Sequence, residues 1–394
     1  MTDLLVISDE LAWPCAMLLA WLAGEFVHRW TNLPRISVYG LVGFLLAQAM
    51  PDLLVPDGSS QVTLLANIAF GLILFEFGYR INLRWLRVNP WIAVSGLAES
   101  ALTFGAVFSI AYWQGMPPLT ALLLASLAMS TSPAGVLRVI NEERSSGQVT
   151  ERLLHLVAMN CVLALFVFKV VVGFWVFQTS GSLTQAVSRS VIELLASAVL
   201  GAVAGMLVPA LLRSLGTLAR DGTVAFAMVV VLLVSITQAA DLSPVLATLT
   251  FGLMARHRRV TFTRTQRNFG AIGELLTVLL FVFAVSTLDW QRVVFGASLG
   301  LLLLLVRFAT KTVAVALFSH VAGISWRKGA LIGVALSPMS VFAILLLEQT
   351  RYMGIVLVDE LAALAAMTLF MEVLGPIITQ RALIRARETA KEEG

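Results

Sequence analysis

Apolar residues in this chain run in continuous blocks of helical length, separated by short polar stretches. A helix that crosses the hydrocarbon layer needs roughly 17 to 25 such residues. Blocks near that length fall at about 10–28, 36–51, 62–80, 90–113, 118–140, 152–178, 190–213, 222–240, 242–256, 271–288, 291–320, 328–349 and 355–379. None shows the ten-residue alternation of a membrane barrel strand. The pattern predicts an all-α polytopic membrane protein with about 13 spans. Composition agrees: 59% of the 394 residues are hydrophobic and 13% charged, with a mean hydropathy of +0.90, too little polar surface for a water-facing globule. The first block lacks a basic leader and a small-residue cleavage site, so it is expected to stay as a helix. Cys15 and Cys161 both lie inside apolar blocks, so no disulfide framework is expected.

Charge adds orientation. Arg29 and Arg35 follow the first span, Arg80, Arg84 and Arg87 the third, and Arg144 and Arg152 the fifth. Arg213 and Arg220 follow the seventh, Arg256, Arg258, Arg259, Arg264 and Arg267 the ninth, and Arg327 and Lys328 the eleventh. Arg381, Arg385 and Arg387 mark the tail, 380–394. The intervening loops hold Asp52, Asp57, Asp241, Asp359 and Glu360, with Arg189, Arg292 and Arg351 as their basic residues. Cytoplasmic loops carry the excess of Lys and Arg, so the N-terminus is expected outside and the C-terminus in the cytoplasm, with an odd number of spans. The net charge of +4 is spread over these loops, which argues against nucleic-acid binding.

Two spans carry similar polar interruptions: Ser130-Thr131-Ser132-Pro133 in the fifth and Ser337-Pro338-Met339-Ser340 in the twelfth. Seven positions apart in the order of spans, they fit two six-helix repeats, about 10–178 and 222–379, joined by a linker helix at about 190–213. The odd offset inverts the second copy. Discontinuous helices at matching positions of inverted repeats point to the midplane site of a secondary transporter. Two ordinary proline kinks are the alternative.

Ionisable residues inside the spans are Glu25, Glu76, Glu99, Lys169, Glu193, Glu274, Arg307, Lys311, Glu348 and Glu372. Each costs on the order of 2.5 to 3.5 kcal/mol at a helix centre. Structural pairing or an interfacial position is the expectation for Glu25, Glu193, Glu274 and Glu348. Arg307 and Lys311 stand one turn apart on one face. They either line a cavity or neutralise carboxylates, with Glu76, Glu99 and Glu372 as possible partners. A structural role is favoured for Arg307 and a functional one for Lys311.

The segments Thr131-Ser132-Pro133-Ala134-Gly135-Val136-Leu137-Arg138-Val139, Gly147-Gln148-Val149-Thr150-Glu151-Arg152 and Ala158-Met159-Asn160-Cys161 resemble the core of the monovalent cation:proton antiporter superfamily. So do Leu74-Phe75-Glu76-Phe77-Gly78, Lys311 ahead of Gly323, and Glu372-Val373-Leu374-Gly375-Pro376. The resemblance, of the sodium/hydrogen exchanger-like 13-helix type, implies crossed broken helices 5 and 12, a homodimer and an elevator-type movement. It also implies ion binding near Thr131, Ser132, Pro133, Asn160, Cys161, Lys311, Ser337 and Pro338. In that family a helix-6 acidic residue binds Na⁺, Li⁺ or K⁺ in competition with protons. Here Asn160 and Cys161 stand in its place. An amide does not titrate, and a thiol is a poor ligand for a hard cation.

Three mechanisms stay open. Glu76 or Glu99 takes over cation and proton binding, Lys311 carries the proton, or the site serves an anion or organic solute. The expected function is proton-coupled antiport of a monovalent cation across a bacterial inner membrane, by a transporter and not an enzyme. The alternatives are a carrier of an anion or organic solute on the same fold, and a transport-inactive sensor or partner subunit. No cofactor is expected, and no metal is assigned beyond a monovalent cation near Asn160.

Overall fold

The structure, a computed structural model, describes residues 2–54, 61–177, 183–214, 218–258, 260, 262, 269–339, 343–344, 346 and 361–390. Among these the elements are α1 (Thr2–Thr31), α2 (Arg35–Ala49), α3 (Pro51–Leu54), α4 (Gln61–Arg80), α5 (Leu83–Val88), α6 (Pro90–Trp113), α7 (Pro118–Met129) and α8 (Pro133–Glu142). They continue with α9 (Gln148–Phe177), α10 (Leu183–Ser214), α11 (Leu218–Ala239), α12 (Pro244–His257), α13 (Gly270–Ser286), α14 (Trp290–Ser319), α15 (Trp326–Ala335) and α16 (Ala362–Arg385). No strand occurs among the described residues. Hydrocarbon offers no partner for a backbone amide, so lipid-facing backbone satisfies itself as helix, and breaks are tolerated only where protein surrounds them.

Nine stretches among the described residues are long and apolar enough to cross a membrane, and α2 and α13 are shorter apolar helices. The expected span 242–256 is the 14-residue α12. The expected span 328–349 is described as α15 and a few residues beyond it; Ser340 and Glu348 lie outside the described residues. So do Asp57, Arg259, Arg264, Arg267, Arg351, Asp359 and Glu360.

Helix starts follow local chemistry. Proline is the first helical residue of α6, α7, α8 and α12, where its missing amide hydrogen costs no helical bond. Ser132 and Ser243 cap α8 and α12 through side-chain oxygens that accept from Gly135 N and Leu246 N.

The chain divides into two compact units. The first comprises 1–63, 89–165 and 278–394. Within it α14 packs against α6, α15 and α16, and α16 also packs against α2, α15 and α8. The second comprises 64–88 and 166–277. There α12 packs closely on α10. A side chain at Gly78 would strike the backbone of Leu249, and one at Gly252 would strike that of Phe75. Such small residues let two membrane helices touch at the backbone, where dispersion contacts supply the association energy. Phe75, Phe226, Phe251 and Phe269 fill the space beside this contact.

Candidate functional site

A residue before proline is pushed out of the helical region. Ser132, before Pro133, takes φ −66° and ψ 110°, and Ser130 takes φ −62° and ψ 149°. The helix therefore stops at Met129 and restarts at Pro133. In the same way α15 stops at Ala335 and residues 336–339, which include Ser337-Pro338, are not helical. The two interruptions meet. Ser132 N donates to Pro338 O at 2.8 Å, and Thr131 Oγ1 donates to Leu336 O at 3.2 Å.

A helix that stops inside a protein leaves carbonyls without donors and a partial negative charge at its C-terminus. Arg307 and Lys311 on α14 supply what is missing. Arg307 donates from Nε to Ala128 O at 2.8 Å, from Nη1 to Ser337 O at 2.7 Å, and from Nη2 to Ser130 O at 2.7 Å and Leu336 O at 3.3 Å. One guanidinium thus closes the ends of both α7 and α15. Lys311 Nζ donates to Met129 O at 2.9 Å and to Glu99 Oε1 at 2.5 Å. Glu99 is 0% and Lys311 1% exposed, so water screens neither partner.

Glu99 belongs to α6, where Ser100 and Thr103 share its buried surroundings. Thr103 Oγ1 donates to Glu99 Oε1 at 3.3 Å. Glu99 Oε2 has no hydrogen-bond partner among the described residues. Asn160 and Cys161 come in from α9 and reach the first interruption. Asn160 Nδ2 donates to Thr131 Oγ1 at 3.3 Å, and Cys161 Sγ donates to the carbonyl of Thr131 at 3.2 Å. Asn160 Oδ1 accepts from Ser100 Oγ at 3.0 Å. The chain of donors from Ser100 through Asn160 and Thr131 to Leu336 O is consistent at every step and joins α6, α9, α7 and α15.

Thr131, Ser132, Pro133, Asn160, Cys161, Arg307, Lys311, Ser337 and Pro338 are therefore gathered around one crossing, with Glu99 beside them. Of the three carboxylates considered for the basic pair, Glu99 is the one bonded to it. Glu76, on α4 of the second unit, accepts instead from Arg80, one turn along its own helix, at 3.1 Å. Glu372, on α16, is buried without a hydrogen-bond partner among the described residues. Glu25 pairs with Arg35 and Glu193 with Lys169, while Glu274 is exposed. Ser100 and Thr103 escaped the sequence reading. Their signal was present as the spacing Glu99-Ser100-Thr103, three polar side chains within five residues of a largely apolar helix.

The sequence model of a family described as sodium/hydrogen exchanger, transmembrane, matches residues 16–385. The chain belongs to that family. Among solved structures it is similar to the sodium proton antiporter MjNhaP1 from Methanocaldococcus jannaschii at pH 8, with 15% identity, a TM-score of 0.68 and 96% of each chain covered. No curated protein matches the chain by sequence. Membership and fold together make the chain a multi-pass helical membrane protein of the cation:proton antiporter superfamily.

Proposed function

We propose that this family member is a proton-coupled antiporter of a monovalent cation, and that Glu99 and Lys311 together carry the exchange. The observation that carries the reading is the buried pair at 2.5 Å next to the carbonyl ends of a broken helix. A buried site holds a net charge only at great cost. Glu99⁻ with Lys311-NH₃⁺ is neutral as a pair. When a monovalent cation takes the Glu99 carboxylate, through Oε2 and the neutral oxygens of Asn160, Thr131 and Ser100, the net charge of the site is unchanged if Lys311 gives up its proton. Cation and proton then exclude each other one for one, which is the condition for antiport. Asn160 contributes an oxygen ligand, and Cys161 fixes the first interruption through Thr131. The acid that the family carries on the sixth helix is thereby replaced from α6.

Glu99 also weighs against an anion carrier, because it cancels the positive charge of Lys311, while the donors of Arg307 are taken up by four carbonyls. Movement by an elevator mechanism, a homodimer, two inverted six-helix repeats around a linker and a bacterial inner-membrane location belong to the same reading, supported by the family membership and the alternating basic loops.

The experiment is exchange in proteoliposomes that enclose a pH-sensitive dye. With a pH gradient imposed, Na⁺, Li⁺ or K⁺ should each be tested, and at least one should collapse the gradient. Glu99→Gln and Lys311→Ala should abolish the response, whereas Glu76→Gln should keep it. A wild type that responds to none of the three cations, with Cys161→Asp gaining a response, would replace this reading with that of a transport-inactive relative.

A further inference from the structure

Glu372 takes no part in the exchange just described. It lies on α16 and is 1% exposed, and neither carboxyl oxygen has a hydrogen-bond partner among the described residues. Its side chain rests against Gly40 of α2, where a Cβ would stand 2.6 Å from Glu372 Cγ. Glycine at position 40 therefore makes the room that the carboxyl occupies. Ser37, one turn before Gly40, and Thr368, one turn before Glu372, are also buried, and their hydroxyls lack a hydrogen-bond partner among the described residues. Buried polar side chains are normally bonded, so three open ones along one helix seam point to a ligand that the seam receives.

The charges around the seam identify that ligand. Helix α16 packs against α14, α2, α15 and α8. On α14, Arg307 is committed to four carbonyls, and Lys311 to Glu99 and Met129. On α2, Arg35 is engaged by Glu25 and Glu142, and Tyr39 is the other titratable group. Helix α15 carries Arg327, exposed, and Lys328, half-buried, and α8 carries Arg138 and Glu142. None of them bonds to Glu372. Without a counter-charge a buried carboxyl is held as the neutral acid. The ligand is then a proton, and it leaves when the seam admits water. The seam is also tied to the second interruption. Gly375, one turn beyond Glu372, lies against Pro338, with a Cβ there only 2.8 Å from Pro338 Cα. Thr379 Oγ1 donates to Ala335 O at 3.0 Å.

We propose that Glu372 forms a second proton-binding site, filled in this conformation and emptied when the seam between α2 and α16 opens. The proposal adds a proton to the antiport reading but does not depend on Glu99 or Lys311.

Infrared difference spectroscopy on the full chain in lipid tests it directly. Near neutral pH the wild type should show the carbonyl band of a protonated carboxylic acid, shifting in heavy water. Glu372→Gln should remove that band and Glu99→Gln should retain it. In proteoliposomes, the slope of log exchange rate against pH should fall by about one for Glu372→Gln, and Glu372→Asp should restore it. A band that survives Glu372→Gln overturns the proposal. So does a band that disappears while the pH profile stays unchanged, since the acid would then be buried but never emptied. If Glu372→Gln does not fold, Glu372→Asp must move the band, and an unmoved band overturns the site. The spectrum needs no transport, so a failed exchange assay and a failed proton site are told apart.

Discussion

Arg307 shows why one side chain can decide whether a broken helix survives. Its four bonds run to carbonyls of residues 128, 130, 336 and 337, all in protein interior. Hydrogen bonds to a charged group are worth about 1.5 to 3 kcal/mol each, and an orphaned buried acceptor costs about 1 to 3 kcal/mol. Arg307→Ala should therefore lower stability by at least about 3 kcal/mol, seen as a lower midpoint of thermal unfolding in detergent. Arg307→Lys should not rescue it, because a point ammonium cannot reach carbonyls spread across two helix ends. An unchanged midpoint in both variants would remove Arg307 from this role. The sequence could nominate Arg307 and Lys311, since two cations in an apolar span require partners. It could not choose among Glu76, Glu99 and Glu372. That choice depends on which helices are neighbours: Glu99 meets a lysine 212 residues away, whereas Glu76 is served by an arginine in its own next turn.

At the level of elements, proline alone does not announce a break. Pro14, Pro209 and Pro376 all sit inside continuous helices. What separates Pro133 and Pro338 is the serine before each and the donors that α14 brings to the exposed carbonyls. The recurrence of Ser-Pro was legible, and the donors were not. The start of α9, the helix that bears Asn160 and Cys161, was hidden in the same way. Its first amides, Val149 N and Thr150 N, donate to the Glu388 carboxylate at 2.8 Å each, and Thr150 Oγ1 donates to it at 3.0 Å. A cap is ordinarily sought in the residue just before the helix; here it comes from the other end of the chain. Gly147, at φ +149°, gives the turn its backbone freedom, and a side chain there would collide with that carboxylate. Glu388→Ala should cost about 1 kcal/mol and accelerate hydrogen exchange in the peptide that begins at Gln148. Unchanged exchange there would mean that the helix end is satisfied in another way.

At the scale of the whole molecule, the fold does not determine which way the chain is inserted, because an apolar helix crosses in either direction with equal ease. The proposed orientation rests on the loops, since cytoplasmic loops carry the excess of Lys and Arg, and their alternation along this chain is legible in the sequence. The structure adds contacts that join the basic end to itself. Arg35 binds Glu142, and His28 lies 2.9 Å from the same carboxylate. Glu388 binds the amides of residues 149 and 150, so the loop after the first span, the loop after α8 and the C-terminal segment share one side. The turn after α6, which includes Gln114, belongs to the opposite set of loops. In a bacterial inner membrane and a Cys15→Ser background, Gln114→Cys should therefore react with a membrane-impermeant maleimide in intact cells. Arg387→Cys should react only in inverted vesicles. The reverse pattern would place the basic loops outside and turn over the proposed orientation.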